Sequence, residues 1–92
     1  MAVLTEKQIV GRLRSSKGWK HQGSEIHKLF VHKDFARAMG FVQSVALLAE
    51  KMNHHPDIDI RWNKVLLSLS THSAGGLTEK DFALAEQINA LK

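Results

Sequence analysis

Pro56 is the only proline in this chain of 92 residues, and it directly follows His54 and His55, two of its six histidines. Proline lacks the N–H that a helix needs and pushes the residue before it into an extended conformation. Upstream, Phe35, Ala38, Val42, Val45, Ala49 and Met52 recur at three- and four-residue steps. That stripe predicts a long amphipathic helix of about five turns, started by Asp34 as N-cap and ended near Asn53 or His54. Downstream, Ile58, Ile60 and Trp62 alternate with Asp57, Asp59 and Arg61, the period of a half-buried strand. Pro56 therefore marks a helix-to-strand junction from which two adjacent imidazoles must diverge. Side chains at element ends, held by a rigid scaffold, commonly carry chemistry. The plainer reading of such a pair alone is a polar turn facing solvent.

The rest of the chain divides around that junction. Thr5-Glu6-Lys7-Gln8 has the capping-box form, and Ile9, Val10 and Leu13 follow on one face, so residues 5–15 read as a short helix that Gly18 breaks. Strands are expected from Trp19 and over Ile26–His32, joined by a turn at Gln22-Gly23-Ser24. After Trp62, Asn63-Lys64 is expected to turn the chain into a paired strand through Val65, Leu67 and Leu69. Gly75-Gly76 gives a bend, and Thr78 caps a last helix with Phe82, Ala85, Ile88 and Leu91 on one face. The order is α-β-β-α-β-β-α. Short turns within both strand pairs favour antiparallel hairpins, hence an α+β sandwich with the helices on one sheet face. Phe41 and Leu48 widen the long helix's apolar face and Gly40 permits close packing, which predicts a subunit contact as readily as a contact within the monomer.

Composition narrows the functional classes. Residues 1–92 are the size of one domain. The absence of cysteine excludes disulfides and thiolate metal sites. No apolar run approaches a membrane span and the N-terminus lacks a signal-peptide pattern, so no membrane association is expected and cytoplasm is the expected compartment. The net charge of +4 raises nucleic acid as a partner, but the thirteen Lys and Arg are scattered among acids. Arg12, Arg14, Lys17 and Lys20, the densest group, suit a solvated face near a helix C-terminus. No nucleic-acid partner is expected.

Beyond Pro56 the spacing becomes specific. Five residues separate it from Trp62, nine separate Trp62 from His72, and eight separate His72 from Asp81. With Glu50 ahead of His54-His55-Pro56, and Thr71-His72 followed by Gly75-Gly76-Leu77-Thr78, this series resembles the signature of the pterin-4a-carbinolamine dehydratases. That signature has a charged residue, three residues, His-His-Pro, an aromatic, a second histidine site and an aspartate. Trp19, Lys33-Asp34-Phe35 and the stretch from Ala46 to Glu50 extend the likeness over most of the chain.

The resemblance implies a four-stranded antiparallel sheet with three helices on one face, a homodimer or homotetramer, and a pterin as small-molecule substrate. It implies dehydration of a 4a-hydroxytetrahydropterin to the quinonoid dihydropterin, in tetrahydrobiopterin recycling. The leaving oxygen must gain a proton and the neighbouring ring nitrogen must lose one. Imidazole, with an ordinary pKa near 6.5, suits both transfers, and positioned acid–base groups contribute about 10²–10⁴ in rate. His54, His55 and His72 form the expected catalytic set, with no metal and no cofactor, and which one is the acid is left open. They sit at element ends, where truncation should open no core cavity.

Supporting roles are expected of four residues. Glu50, one turn before His54, is placed to hydrogen-bond it. Ser70 and Thr71 offer backbone groups to the pterin edge, as in the family. Asp81 orients an imidazole, binds the pterin or completes the Thr78 cap. Trp62 reads as core or cleft wall. Two other readings remain: a non-enzymatic interaction module, since some animal relatives bind a transcription factor through a helical face, and a three-histidine metal site. Adjacent histidines diverge, which counts against the latter.

Overall fold

The computed structural model describes residues 2–91, and the expected element order runs through them. Met1 and Lys92, the ends of the expected domain, lie outside the described residues. Helix α1 spans Glu6–Ser15 and opens on the capping box: Gln8 N–H donates to Thr5 Oγ1 at 3.2 Å, and Gln8 Oε1 accepts from Thr5 N–H at 2.8 Å. Strands β1 (Lys20–Gln22) and β2 (Glu25–Val31) form the first hairpin. Helix α2 spans Phe35–Met52, capped by Asp34, whose Oδ1 accepts from Arg37 N–H at 2.8 Å. Strands β3 (Asp57–Arg61) and β4 (Lys64–Leu69) form the second hairpin, and α3 covers Glu79–Asn89.

The hairpins join through their inner strands, giving one antiparallel sheet of order β1-β2-β4-β3. Ile26, Val65, Leu67 and Leu69 lie wholly buried on its inner face. They pack with Ala38 and Val45 of α2 and with Phe82, Leu84, Ala85 and Ile88 of α3. Each large side chain so buried contributes about 1.5–3 kcal/mol. Leu29 and Val31 on the opposite face stay exposed, so the helices lie on one face, as expected.

Two expectations, a half-buried strand and a buried Trp62, fail for one reason: burial depends on which strand lies at the sheet edge. Strand β3 is an edge strand, exposed along its whole length. Ile58 and Ile60 face the same side as Leu67 and Val65 but keep 38% and 37% of their surface, because the helices do not cover that edge. The hairpin turn is Trp62-Asn63 rather than Asn63-Lys64. Trp62 is 65% exposed at its tip with φ 51°, beneath the Lys64 ammonium, and is neither core nor cleft wall. On α2, Phe41 and Leu48 pack against the core, and Phe35, Met39 and Leu47 are the exposed apolar side chains. Of the two contacts open to Phe41 and Leu48, the structure shows the one within the monomer.

At the far end, Asn89 Oδ1 accepts from Trp19 Nε1 at 3.1 Å and from Lys28 Nζ at 2.7 Å. The Lys28 ammonium also donates to the Lys17 carbonyl and lies over the Phe30 ring. Burial first, and the charge of Lys17 second, lower its pKa from the ordinary 10.5. Across the window between the lowered value and 10.5, the unfolded chain binds this proton more tightly than the folded one. Stability from this group therefore rises with pH there. The urea midpoint of the protein relative to Lys28→Met should move in the protein's favour as the pH rises toward 10.5.

Candidate active site

The long helix ends in a way that aims His54 inward. Asn53 adopts the left-handed conformation (φ 51°, ψ 45°), and its N–H bonds back to Ala49 and Glu50. His54 N–H then reaches the Ala49 carbonyl at 3.1 Å, the six-to-one closure that ends many helices. Asparagine tolerates this backbone better than most residues, and Pro56 prevents any resumption of the helix. The turn rolls His54 off the α2 surface and toward α3.

There His54 Nε2 lies 2.6 Å from Asp81 Oδ1. His54 is 8% exposed and Asp81 wholly buried, so the pair is sheltered from water. Asp81 is the third residue of α3, and its Oδ2 accepts from Thr78 N–H at 2.9 Å, completing a second capping box. The same Oδ2 accepts from Thr71 Oγ1 at 2.8 Å. Asp81 therefore orients an imidazole and caps a helix at once, two of the three roles open to it from sequence. Because the carboxylate accepts, Nε2 of His54 carries a proton, and in the neutral ring Nδ1 keeps the lone pair.

The other histidines are differently placed. His55 points to solvent with its Nε2 3.3 Å from Glu50 Oε1, both side chains more than half exposed. An ion pair this open is worth at most about 1 kcal/mol. Glu50 thus serves His55, not His54 as its spacing suggested: the left-handed turn carries His54 away and brings the next residue over Glu50. His72 begins a 3-10 turn, His72–Ala74, that the pattern did not predict, and its Nε2 stands 3.5 Å from Ser70 Oγ. Thr71, between them, faces inward, and its side chain bonds to Asp81.

Strand register brings the two histidine segments to one end of the sheet. Asp57 pairs with Ser68, so the chain entering β3 from His55-Pro56 lies beside the chain leaving β4 toward Ser70 and His72. Gly75, at φ 79°, closes the 3-10 turn, and Thr71 pairs with Gly76. A Cβ at Gly76 would come within 3.1 Å of Val3. Sequence reasoning treated Thr78 as a cap alone, yet its amide helps hold the carboxylate. A threonine N-cap followed by aspartate at the third position, with a histidine junction elsewhere, is the signal that could have found it. Among the described residues, no three His, Asp or Glu side chains converge as metal ligands. No described helix is long and apolar enough to cross a membrane.

Comparison with known proteins identifies the family and agrees with the fold. Residues 2–91 match the family model described as pterin 4 alpha carbinolamine dehydratase. A Roseiflexus castenholzii protein that bears the name "Putative pterin-4-alpha-carbinolamine dehydratase" is 57% identical over 90 residues, covering 98% of this chain and 97% of its own. A crystal structure from Brucella melitensis, described as a transcriptional coactivator/pterin dehydratase, superposes with a TM-score of 0.92 at 40% identity, covering 96% of both chains. A pterin dehydratase-like protein described as a RuBisCO assembly factor in the alpha-carboxysome superposes with a TM-score of 0.68 at 26% identity, covering 79% of this chain and 87% of its own. Matched by the family model over residues 2–91 and by relatives covered almost end to end, this chain belongs to the pterin 4 alpha carbinolamine dehydratase family.

Proposed function

We propose that the protein dehydrates 4a-hydroxytetrahydropterins by histidine acid–base catalysis. The observation that carries this reading is the buried His54–Asp81 pair, 2.6 Å apart, at the sheet end where His55 and His72 also emerge. In the reaction the C4a–O bond breaks and oxygen leaves as water, taking a proton from an acid. The proton on the adjacent ring nitrogen passes to a base, and its electron pair forms the carbon–nitrogen double bond. No electrons leave the substrate, so the step calls for no redox cofactor.

His54 is the fixed member of the set. With Nε2–H committed to Asp81, it offers Nδ1 as a lone pair of constant identity, which suits a base. His55 and His72 are open to solvent, and the acid is drawn from that exposed pair. A base held in one tautomer beside an acid recharged by solvent needs no large movement between turnovers. Glu50 steadies His55, and Ser70 stands beside His72.

Stopped-flow decay of a chemically generated 4a-hydroxytetrahydropterin should be accelerated by the protein, with or without a strong chelator. Loss of acceleration on metal removal, restored by zinc, would favour metal chemistry instead. No acceleration at all would sink the dehydratase reading and favour an interaction module. That second reading has its own observation: Phe35, Met39 and Leu47 leave an apolar face on α2, and one structural relative is described as an assembly factor.

A further inference from the structure

We infer that the outer face of the sheet carries a second binding site, a cleft for a small carboxylate with an apolar body. Strand register places its parts. Val65, Leu67 and Leu69 point into the core, so Lys64, Leu66 and Ser68 of the same strand point outward. Leu66 stands between Leu29 of β2 and Asp59 of β3, and Lys64 stands between Val31 and Arg61. Directly opposed residues share a face. Two rows therefore run side by side across three strands, one of two leucines and an acid, the other of a valine and two cations. Leu29, Leu66, Asp59, Arg61 and Lys64 together line a cleft of about 250 Å³.

Two features of this face call for a ligand. Leu29 in the cleft and Val31 beside it are 51% and 63% exposed, apolar surface left to water. The second feature is charge. Arg61 and Lys64 are direct cross-strand partners, and like charges so placed repel. Asp59 Oδ1 accepts from Arg61 Nε at 3.1 Å and answers one of the two cations. Lys64 is left over: among the described residues, no carboxylate lies within ion-pair reach of it. Its ammonium lies 5.4 Å from the centroid of the Trp62 ring and donates to Asn63 Oδ1 at 3.3 Å. An ammonium has three protons, so two remain to be given.

One carboxylate completes the count. Its charge meets Lys64, whose flexible four-carbon stem lets the head reach over the cleft, and its apolar body lies on Leu29 and Leu66. A doubly charged anion would also face Asp59, and a neutral molecule would leave Lys64 unanswered. At just under the roughly 300–1,000 Å³ of sites for drug-sized molecules, the cleft suits a small free molecule. It lies apart from the proposed active site. Arg61 is at the far end of β3 from Asp57, where the histidine segments enter, a rise of about 13 Å along the strand.

The test titrates octanoate into the ¹⁵N-labelled full chain, with octanol and acetate as its apolar and charged halves. Octanoate should move the amide signals of Leu29, Lys64 and Leu66 saturably, with a Kd on the order of 1 mM. Octanol should bind the same residues more weakly, and acetate should move them little. Charge variants should act with opposite signs. Lys64→Gln should weaken octanoate about threefold, the scale of one exposed ion pair, and Asp59→Asn, by freeing Arg61, should tighten it about as much. Neither should alter octanol. Both side chains are exposed, so both variants keep the fold. The inference is overturned if octanoate causes no saturable shift at Leu29 and Leu66, or if acetate reproduces its shifts. It is overturned equally if either charge variant binds octanoate as the wild type does. Signals of the cleft that move when the protein alone is diluted would make a second copy of the chain the occupant, and would overturn it too.

Discussion

Asp81→Asn is expected to lower the dehydration rate by about 10²–10⁴ while leaving the chain folded. The asparagine fits the same volume, so the outcome turns on how its amide orients. With its oxygen toward His54, its NH₂ would meet the Thr78 N–H, donor against donor, inside a site that water does not reach. With the amide reversed, its oxygen accepts from Thr71 and Thr78 as the carboxylate did, and every buried group is satisfied except in one respect. The NH₂ now faces His54 Nε2, which must accept, so the imidazole proton moves to Nδ1. The second arrangement avoids an unpaired buried donor, worth about 1–3 kcal/mol, and should dominate. Stability falls only by about 1 kcal/mol, the difference between a charged and a neutral acceptor. The ring is present, correctly placed and in the wrong tautomer. Single-turnover rates and urea denaturation on the same preparation check both halves. A wild-type rate in a stable Asp81→Asn protein would reduce Asp81 to a helix cap.

What the sequence made legible here is what local chemistry decides. Thr5 with Gln8, Asp34 before the long apolar stripe, and Thr78 with Asp81 each announce a helix start within four residues, and each is found. Pro56 ends α2 for a reason contained in its own ring. The two hairpins follow from short turns. Trp62 and the isoleucines of β3 could not be placed the same way. Their exposure depends on β4, not β3, lying between the hairpins, a matter of sheet order that no local alternation encodes.

The site shows the same boundary. Glu50 and His54 are one helical turn apart on paper, but the left-handed Asn53 changes the geometry of every side chain after it, and the carboxylate meets His55 instead. Of Thr71 the family likeness implies only a backbone edge for a ligand; the direction of its side chain is not a local matter. Which parity faced inward depended on Leu67 and Leu69 being core, and that places Thr71 against Asp81. Phe41 and Leu48 likewise pack against the core, because α3 lies against α2 and Phe30 of β2 meets the Phe41 ring.

His54→Ala is where the placement of the histidines has its largest consequence for stability. The expectation that all three lie at element ends, harmless to truncate, holds for two of them. His55 and His72 are exposed, so their alanine variants should unfold within about 0.5 kcal/mol of wild type, with rates lowered by about 10² or less. His54 is the donor to a wholly buried carboxylate, and its removal leaves Asp81 Oδ1 facing a void. Breaking a buried pair from one side costs about 3–5 kcal/mol, a large share of the roughly 5–15 kcal/mol that holds a domain of this kind. Water entering the vacated space offsets some of that, since it can donate to Oδ1. Two further variants separate structure from chemistry. His54→Gln keeps an N–H donor near Asp81 without a titrating ring, so it should recover much of the stability and none of the proton transfer. The double variant His54→Ala with Asp81→Asn removes the uncompensated charge and should lose less than the sum of the single losses. Urea midpoints for the whole set, with rates measured only on folded variants, decide the matter. If His54→Ala unfolds at the same midpoint as His55→Ala, the buried pair does not hold this end of the sheet together, and His54 is one more exposed imidazole.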